Sequence, residues 1–387
     1  MPKLILHAGT HKTGTTAIQA FAARNRAALL NRGLLYPSYA PLTFPTQDGH
    51  HLFAHAIAQT PGCPSLDDVR TLVRHWHAAA SESDSTVLVS AEALYRHRLG
   101  DGSTHQRRHA YLRRVSEMLD AFDVELVLVF RRPDDFVRSM YQEHIASPRT
   151  RRSLPSLHAW ATAPDRFQLH YHESAQIFQS TFPKTRILLY EDLIGGNGLY
   201  ENFFSSIGCD ISGIPTPGRI RAGLPATHVV AKNYANSFLS GVHSHQKFLK
   251  WLESSEVSQA FDEAFGGTRF DLWRSHEERE RFLESRAEDI ATSPGLLPRS
   301  TFTLPSPSPP GYGPTGTGSA HPHKGSDRPT LASERLAHPF NRGPDRTVRR
   351  QVPAMTRSTR LFQGNDPAHS TDQHARIVPT PCADFCI

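Results

Sequence analysis

The sequence predicts an α/β fold, a parallel sheet flanked by helices, carried by residues 1–295 of the 387. Short apolar runs alternate here with segments rich in helix-forming residues. The apolar runs are hydrophobic throughout, as expected for parallel strands that helices cover on both faces. The first run leads through a loop of glycine and threonine directly into a long helical segment. Such a loop lies at the carboxyl edge of a parallel sheet, where ligands bind in folds of this class.

Four apolar runs are the predicted strands, because each is short, apolar and followed by a turn or helix signal. They are KLILHA (3–8), STVLVSAEAL (85–94), VELVLVF (124–130) and RILLYEDL (186–193). The predicted helices are 17–31, which stops at Gly33, 134–145, which follows Pro133, and a segment that stops at Gly208. Proline at the start of a helix and glycine after its end are typical of these positions. Residues 220–292 are also predicted to be helical, and they are highly charged.

Residues 296–387 form a second region, a predicted low-complexity tail. Fourteen of the 29 prolines lie there, and residues 303–325 are rich in proline, glycine and serine. Such a composition predicts disorder, because it supplies too few clustered apolar residues to offset the entropy lost on folding. We therefore expect the folded domain to end near residue 295.

Charge and apolar content limit the classes of partner. The net charge of +6 arises almost entirely in the tail, which holds 11 Lys and Arg against 6 Asp and Glu. The nearly neutral body gives no indication of a nucleic-acid partner. The run VELVLVF is far too short to span a bilayer, so no membrane span is expected. Four scattered cysteines and an N-terminus without a long apolar core favour a cytoplasmic location.

The sharpest motif is HAGTHKTGTTAIQ (7–19), placed between the first strand and the first helix. Gly9 and Gly14 are five residues apart, the spacing of a GxxxxG phosphate-binding loop. Glycines let backbone N–H groups surround an anion, and the helix N-terminus adds a favourable dipole. In a Walker A loop the lysine follows the second glycine, but here Thr15 holds that place and Lys12 lies inside the loop.

The motif resembles the 5′-phosphosulfate loop of sulfotransferases that use 3′-phosphoadenosine 5′-phosphosulfate (PAPS). The string HAGTHKTGTTAIQAFAARNRAALLNRGLLYP (7–37) is similar to the start of bacterial members of that family. The resemblance implies a P-loop sulfotransferase-like sheet and PAPS as the co-substrate. It also implies that the donor is bound by Gly9, Thr10, His11, Lys12, Thr13, Gly14, Thr15 and Thr16, with Lys12 also acting in catalysis.

A second element is LVLVFRRPDDFVRSMY (126–141), where Ser139 follows Arg131 by eight residues. An arginine supplies a forked cation for a phosphate, and a serine supplies a hydroxyl donor. In the family that the loop resembles, an Arg and a Ser at this spacing hold the donor's 3′-phosphate. The resemblance therefore implies that Arg131 and Ser139 bind it, with Arg132 as an alternative contact. A solvated helix start is the structural alternative.

The candidate base is Glu92, which follows the second predicted strand. A base is expected at the carboxyl end of a strand beside the loop strand, and some members of the family use a glutamate near this point. The alternative is that Glu92 caps the following helix. His50, His51 and His55 are the second set of candidate bases. His51 and His55 are four residues apart, as in some metal sites, but no third ligand of matching context follows, so no metal is expected.

These residues predict an enzyme that transfers the sulfuryl group of PAPS to a hydroxyl or amine acceptor, with a small molecule or a carbohydrate as candidates. Two alternatives stay open. A P-loop small-molecule kinase would need a lysine after Gly14 and carboxylates that hold Mg²⁺. A non-catalytic nucleotide-binding module would need only the loop. The acceptor and the oligomeric state do not follow from the sequence.

Overall fold

The computed structural model describes residues 1–42, 47–150, 152–163, 167–217, 223–265 and 271–291. Five parallel strands form one sheet in the order β2-β3-β1-β4-β5. The strands are β1 (Lys3–Gly9), β2 (Leu34–Leu35), β3 (Thr86–Ser90), β4 (Asp123–Phe130) and β5 (Thr185–Leu189). The predicted fold class, a parallel sheet flanked by helices, is thus confirmed over these residues. The disorder predicted for residues 296–387 concerns a segment outside the described residues.

Helices connect the strands and cover the sheet. In chain order they are α1 (Thr15–Arg24), α2 (Arg26–Leu30), α3 (His51–Ile57), α4 (Leu66–Ser83), α5 (Ala93–Arg96), α6 (Thr104–Met118), α7 (Pro133–Ala146), α8 (Leu157–Ala161), α9 (Tyr171–Thr181), α10 (Tyr190–Leu193), α11 (Leu199–Ser206), α12 (Ala226–Ala235), α13 (Gly241–Leu252), α14 (Ser255–Phe265), α15 (His276–Glu284) and α16 (Ala287–Ala291). Within the described chain, none of these helices combines the length and apolar character that crossing a membrane requires.

Both faces of the sheet are buried at its centre, which explains the apolar runs in β1, β3 and β4. Side chains of a strand alternate between the two faces. Leu4 and Leu6 of β1 pack with residues of α3, α4, α6 and α9 on one face. Ile5 of β1 packs on the other face with α1 and with Phe203 and Phe204 of α11.

The register places the glycine-threonine loop at the centre of the sheet's carboxyl edge. In β1, His7 lies opposite Ser90 of β3, and Gly9 lies opposite Val129 of β4. The loop that follows Gly9 therefore emerges between the ends of β3 and β4. The predicted base and the predicted phosphate pair lie just beyond those two strand ends.

Several predicted boundaries were wrong. The second predicted strand ends at Ser90, and α5 begins three residues later. The strand predicted over 186–193 ends at Leu189, where YEDL forms α10. The helix predicted over 17–31 is interrupted at Asn25, whose φ of −110° and ψ of 23° are not helical. Apolar residues lie on both sides of each of these boundaries, so hydrophobic patterning alone does not mark them.

The contacts of Asp289 show that the fold uses the chain at least as far as α16. The Asp289 carboxylate accepts backbone hydrogen bonds from Tyr171 (2.7 Å) and His172 (3.2 Å), the first two residues of α9. The residue preceding α9, His170, supplies no side-chain cap. Asp289 thus satisfies two N–H groups that the helix leaves unpaired, a role worth about 1 kcal/mol when a capping residue supplies it.

We expect a chain truncated after residue 299 to unfold cooperatively at nearly the full-length melting temperature. The described core and Asp289 are retained, and the tail composition predicts no contribution to folding. Thermal melting of this variant beside Asp289→Ala tests the boundary, because the substitution should lower the melting temperature by a few degrees. A large loss of stability in the truncated chain would show that the tail belongs to the domain.

Candidate functional site

The loop begins with a glycine because β4 passes too close for a side chain. A Cβ built on Gly9 would lie 2.2 Å from the carbonyl oxygen of Val129. The next residue, Thr10, donates its backbone N–H to the same carbonyl over 3.0 Å. The start of the loop is thus fixed against the end of β4.

The loop ends in a turn that leads into α1. The backbone of Lys12 has a φ of 67° and that of Gly14 a φ of 74°, both in the left-handed region. Gly14 precedes α1 and provides no side-chain cap, and a Cβ on it would meet Leu199 at 2.6 Å. The first N–H groups of α1 are therefore without a side-chain cap at the point where the loop closes. An N-terminus of this kind favours an anion.

The loop threonines divide between the interior and the surface. Thr13 donates its hydroxyl to the carbonyl of Thr10 (2.9 Å) and lies 3.2 Å from the hydroxyl of Thr15. Thr10, Thr13 and Thr15 are buried, whereas Thr16 is exposed. The Thr13 side chain therefore shapes the loop through its hydrogen bond to Thr10, and the side chains of Thr10 and Thr13 face the interior.

Lys12 projects from the loop, with 40% of its side chain exposed, toward α7. Its Nζ lies 3.3 Å from Oε2 of Glu143, which is equally exposed. Sequence reasoning did not select Glu143. The signal was present, since Glu143 follows Ser139 by four residues and so lies on the same face of a helix.

Arg131 and Ser139 meet as the spacing predicts. Arg131 leaves the end of β4, and its Nη1 donates to the Ser139 hydroxyl (2.8 Å) and to the carbonyl of Lys12 (3.0 Å). Its guanidinium also lies 5.1 Å from the ring centre of Tyr190. A cation, a hydroxyl and the loop backbone are thus held together. Binding of a 3′-phosphate by this pair stays a prediction.

The adjacent Arg132 is already neutralised by carboxylates. Its Nε and Nη2 donate to Asp134 over 2.8 and 2.9 Å, and Asp135 lies 3.3 Å from Nη2. Arg279 of α15 donates to both Asp134 (2.5 Å) and Asp135 (3.2 Å). Asp134 and Asp135 therefore join Arg132 and the start of α7 to Arg279 of α15, and Arg131 is the arginine of the two that contacts the loop.

Glu92 lies two residues beyond the end of β3 and faces the loop. Its Oε1 is 3.1 Å from Nδ1 of His11, and 19% of its side chain is exposed. Burial by itself raises the pKa of Glu92, but His11, His51 and Arg96 outweigh burial and lower the pKa to about 2. Glu92 occupies the N-cap position of α5 without a side-chain capping bond. Capping, the alternative interpretation, has no support in this geometry.

His50, which precedes α3, and His51 and His55 of α3 are each in contact with other polar groups of the protein. His50 accepts the backbone N–H of Ser90 at Nδ1 (3.0 Å), and its Nε2 lies 3.1 Å from the carbonyl oxygen of Pro37. His55 lies 2.7 Å from His97, and burial lowers the pKa of His55 to about 4. His51 contacts Gln19 at 3.3 Å, and burial lowers its pKa as well. Across the described residues no three metal-ligating side chains converge, so His51 and His55 gain no third ligand there.

Comparisons with known proteins identify no family for this chain. No protein-family model matches it, and no curated protein does. A solved structure, the sulfotransferase domain from the curacin biosynthetic pathway, aligns at 11% identity over 74% of this chain and 97% of that one. The TM-score is 0.29, which is too low to decide either fold or activity.

Proposed function

We propose that this protein is a sulfotransferase that uses PAPS as donor. The observation that carries the proposal is the hydrogen-bonded junction of Arg131, Ser139 and the Lys12 carbonyl. It joins the glycine-threonine loop, from which the Lys12 side chain projects toward Glu143, to a second group of anion-binding character, the Arg131–Ser139 pair. A donor with phosphates at both its 5′ and 3′ positions matches two such anion sites.

The donor's 5′-phosphosulfate would lie on the loop between Gly9 and Gly14, against the N-terminus of α1. Lys12 would neutralise charge that develops on the leaving phosphate. The 3′-phosphate would accept hydrogen bonds from Arg131 and Ser139, since a guanidinium and a hydroxyl together suit a phosphate. Glu143 now holds Lys12, so donor binding must exchange a carboxylate for the phosphosulfate.

The reaction needs alignment and charge neutralisation more than covalent help from the protein. A hydroxyl or amine of the acceptor forms a bond to sulfur, and the bond from sulfur to the bridging oxygen of the 5′-phosphate breaks. The electron pair stays on that oxygen, and adenosine 3′,5′-bisphosphate leaves. Glu92 takes the acceptor's proton. The acceptor would approach from the β3 side, where Glu92 lies beside the loop.

A panel of hydroxyl and amine acceptors, including carbohydrates, incubated with radiolabelled PAPS, tests the reaction and its acceptor class. Sulfate release into water is a second readout that needs no acceptor, because water can replace the acceptor hydroxyl. Sulfonation of an acceptor, or enzyme-dependent release, supports the proposal. Tight donor binding with neither reaction would instead favour a nucleotide-binding module.

A small-molecule kinase is the competing enzyme, and calorimetry separates the two. A kinase loop of this type places a lysine directly after its second glycine, where this chain has Thr15. We expect adenosine 3′,5′-bisphosphate to bind without Mg²⁺. Binding of ATP that requires Mg²⁺, with no binding of the bisphosphate, would support the kinase instead.

Ser139→Ala and Arg131→Ala should weaken the binding of PAPS far more than that of adenosine 5′-phosphosulfate, which lacks the 3′-phosphate. A hydrogen bond to a charged group is worth about 1.5–3 kcal/mol, roughly a 10- to 100-fold loss of affinity. Arg138→Ala is the matched control, since Arg138 precedes Ser139 on α7 but pairs with Asp135 over 2.7 Å. Equal weakening of both nucleotides would contradict binding of the 3′-phosphate by this pair.

A further inference from the structure

Two consecutive loop residues, His11 and Lys12, contact the segments that follow the two strands on either side of β1. Lys12 contacts α7, which follows β4, through Glu143 at 3.3 Å. His11 contacts the segment that follows β3, through Glu92 at 3.1 Å and Arg96 at 3.2 Å. The left-handed φ of 67° at Lys12 accompanies this divergence. The donor loop is therefore in direct contact with the candidate base, a contact that the loop motif does not reveal.

The contact with Arg96 decides which nitrogen of His11 carries the proton. A guanidinium only donates hydrogen bonds, so Nε2 of His11 must accept the bond from Nη1 of Arg96. The proton of the neutral imidazole then resides on Nδ1, the atom 3.1 Å from Glu92. Neither nitrogen is free to take a proton from an acceptor, which argues against His11 as the base.

We propose that His11 is a positioning residue, which holds the Glu92 carboxylate in place and links it to the donor loop. The inference rests on the proposed sulfotransferase function and deepens it. His11 supplies a donor to Oε1 of Glu92, and this contact leaves Oε2 uninvolved. Oε2 is thus the atom left to accept the acceptor's proton. Because His11 and Lys12 are adjacent, a shift of the loop on donor binding moves the base and the leaving-group lysine together.

The charged and titratable groups that face Glu92 come from four elements. His7 lies on β1, His11 on the loop, His51 on α3 and Arg96 on α5. His7 is fully buried, and burial, partly offset by Glu92, lowers its pKa to about 4. His11 is the partner of Glu92 at contact distance that also belongs to the donor loop. Its loss should raise the pKa of Glu92, because a partner that favours the ionised form is removed.

His11→Ala tests the proposal, with sulfate release from PAPS into water as the activity. We expect kcat to fall about 10- to 100-fold, as for a misplaced catalytic group. The affinity for adenosine 3′,5′-bisphosphate should stay within about threefold, and the acid limb of kcat/KM should move to higher pH. His11→Asn, which keeps a donor near the position of Nδ1, should recover part of kcat. His276→Ala is the control, because His276 makes a similar contact with Glu280 (3.1 Å) on α15.

Two results would overturn the role of His11. A marked loss of bisphosphate affinity with an unmoved acid limb would make His11 a donor ligand. Wild-type behaviour of His11→Ala in all three measurements would leave His11 without a role in the reaction. Failure of the proposed function has a different signature, since the wild-type protein itself would then either not bind the bisphosphate or bind it without any transfer or release of sulfate, and both proposals would fall.

Discussion

Lys12→Ala should lower the rate of sulfuryl transfer by on the order of 10²–10³-fold while the melting temperature stays unchanged. Removing one electrostatic contact to charge that develops in the transition state typically has an effect of this size. The fold should be unaffected, because the Lys12 side chain is 40% exposed and its ion pair with Glu143 is at the surface. Such pairs contribute about 0–1 kcal/mol to stability. Single-turnover rates at saturating PAPS, measured beside thermal melting, provide the test.

Two further variants separate the charge of Lys12 from its surroundings. Lys3→Ala removes a lysine of similar exposure that pairs with Glu125 at the opposite end of β1, so its activity should be unchanged. Glu143→Gln removes the carboxylate that holds Lys12 in the absence of donor. It should tighten PAPS binding by at most about fivefold, the equivalent of roughly 1 kcal/mol. Near-normal turnover of Lys12→Ala at saturating donor would contradict the assignment of the phosphosulfate loop.

The central part of the fold could be predicted because several local signals agree there. In β1 and β4 an apolar run, a glycine or proline at its end and a helical segment follow one another. The structure also explains why residue 9 is a glycine, since a Cβ there would lie 2.2 Å from the backbone of β4. The edge strand β2 was missed, because two residues carry no periodicity.

The side-chain pairings of the site were less accessible to sequence reasoning. The eight-residue spacing placed Arg131 and Ser139 together, because both belong to one strand-helix unit. The contacts between His11 and Glu92, and between Lys12 and Glu143, join segments that are 81 and 131 residues apart. Which residues meet across such distances depends on strand order and on the direction of each loop side chain. A local motif specifies neither.

The same contacts change what can be expected of Glu92 as a base. A general base works best when its pKa lies near the operating pH. His11, His51 and Arg96 instead overcome the effect of burial and lower the pKa of Glu92 to about 2. The carboxylate is therefore ionised and ready to accept a proton, but it is a weak base. Its contribution should lie near the lower end of the usual range of 10²–10⁴-fold.

The depressed pKa also fixes the sign of the pH dependence. An acid whose pKa is lower in the folded state than in the unfolded chain stabilises the fold at pH values above its pKa in the unfolded chain. That contribution is lost as the pH falls toward the folded value. For Glu92 this stabilisation is lost over the pH range that extends from the ordinary pKa of a glutamate down to about pH 2. Between pH 7 and about pH 5 Glu92 should therefore neither lose its charge nor limit the rate by protonation.

Glu92→Gln should accordingly lower the rate of the chemical step by about 10²-fold, with little change in the affinity for adenosine 3′,5′-bisphosphate. The amide keeps the size of the side chain but cannot take the acceptor's proton, and Glu92 lies on the side of the loop away from Arg131 and Ser139. Glu173→Gln is the matched control, because Glu173 contacts His105 at 3.2 Å on the exposed surface. Single-turnover rates and calorimetry supply the two readouts. If activity survives Glu92→Gln but falls in His51→Ala, the base lies on α3, and the carboxylate beside His11 serves only to hold the loop.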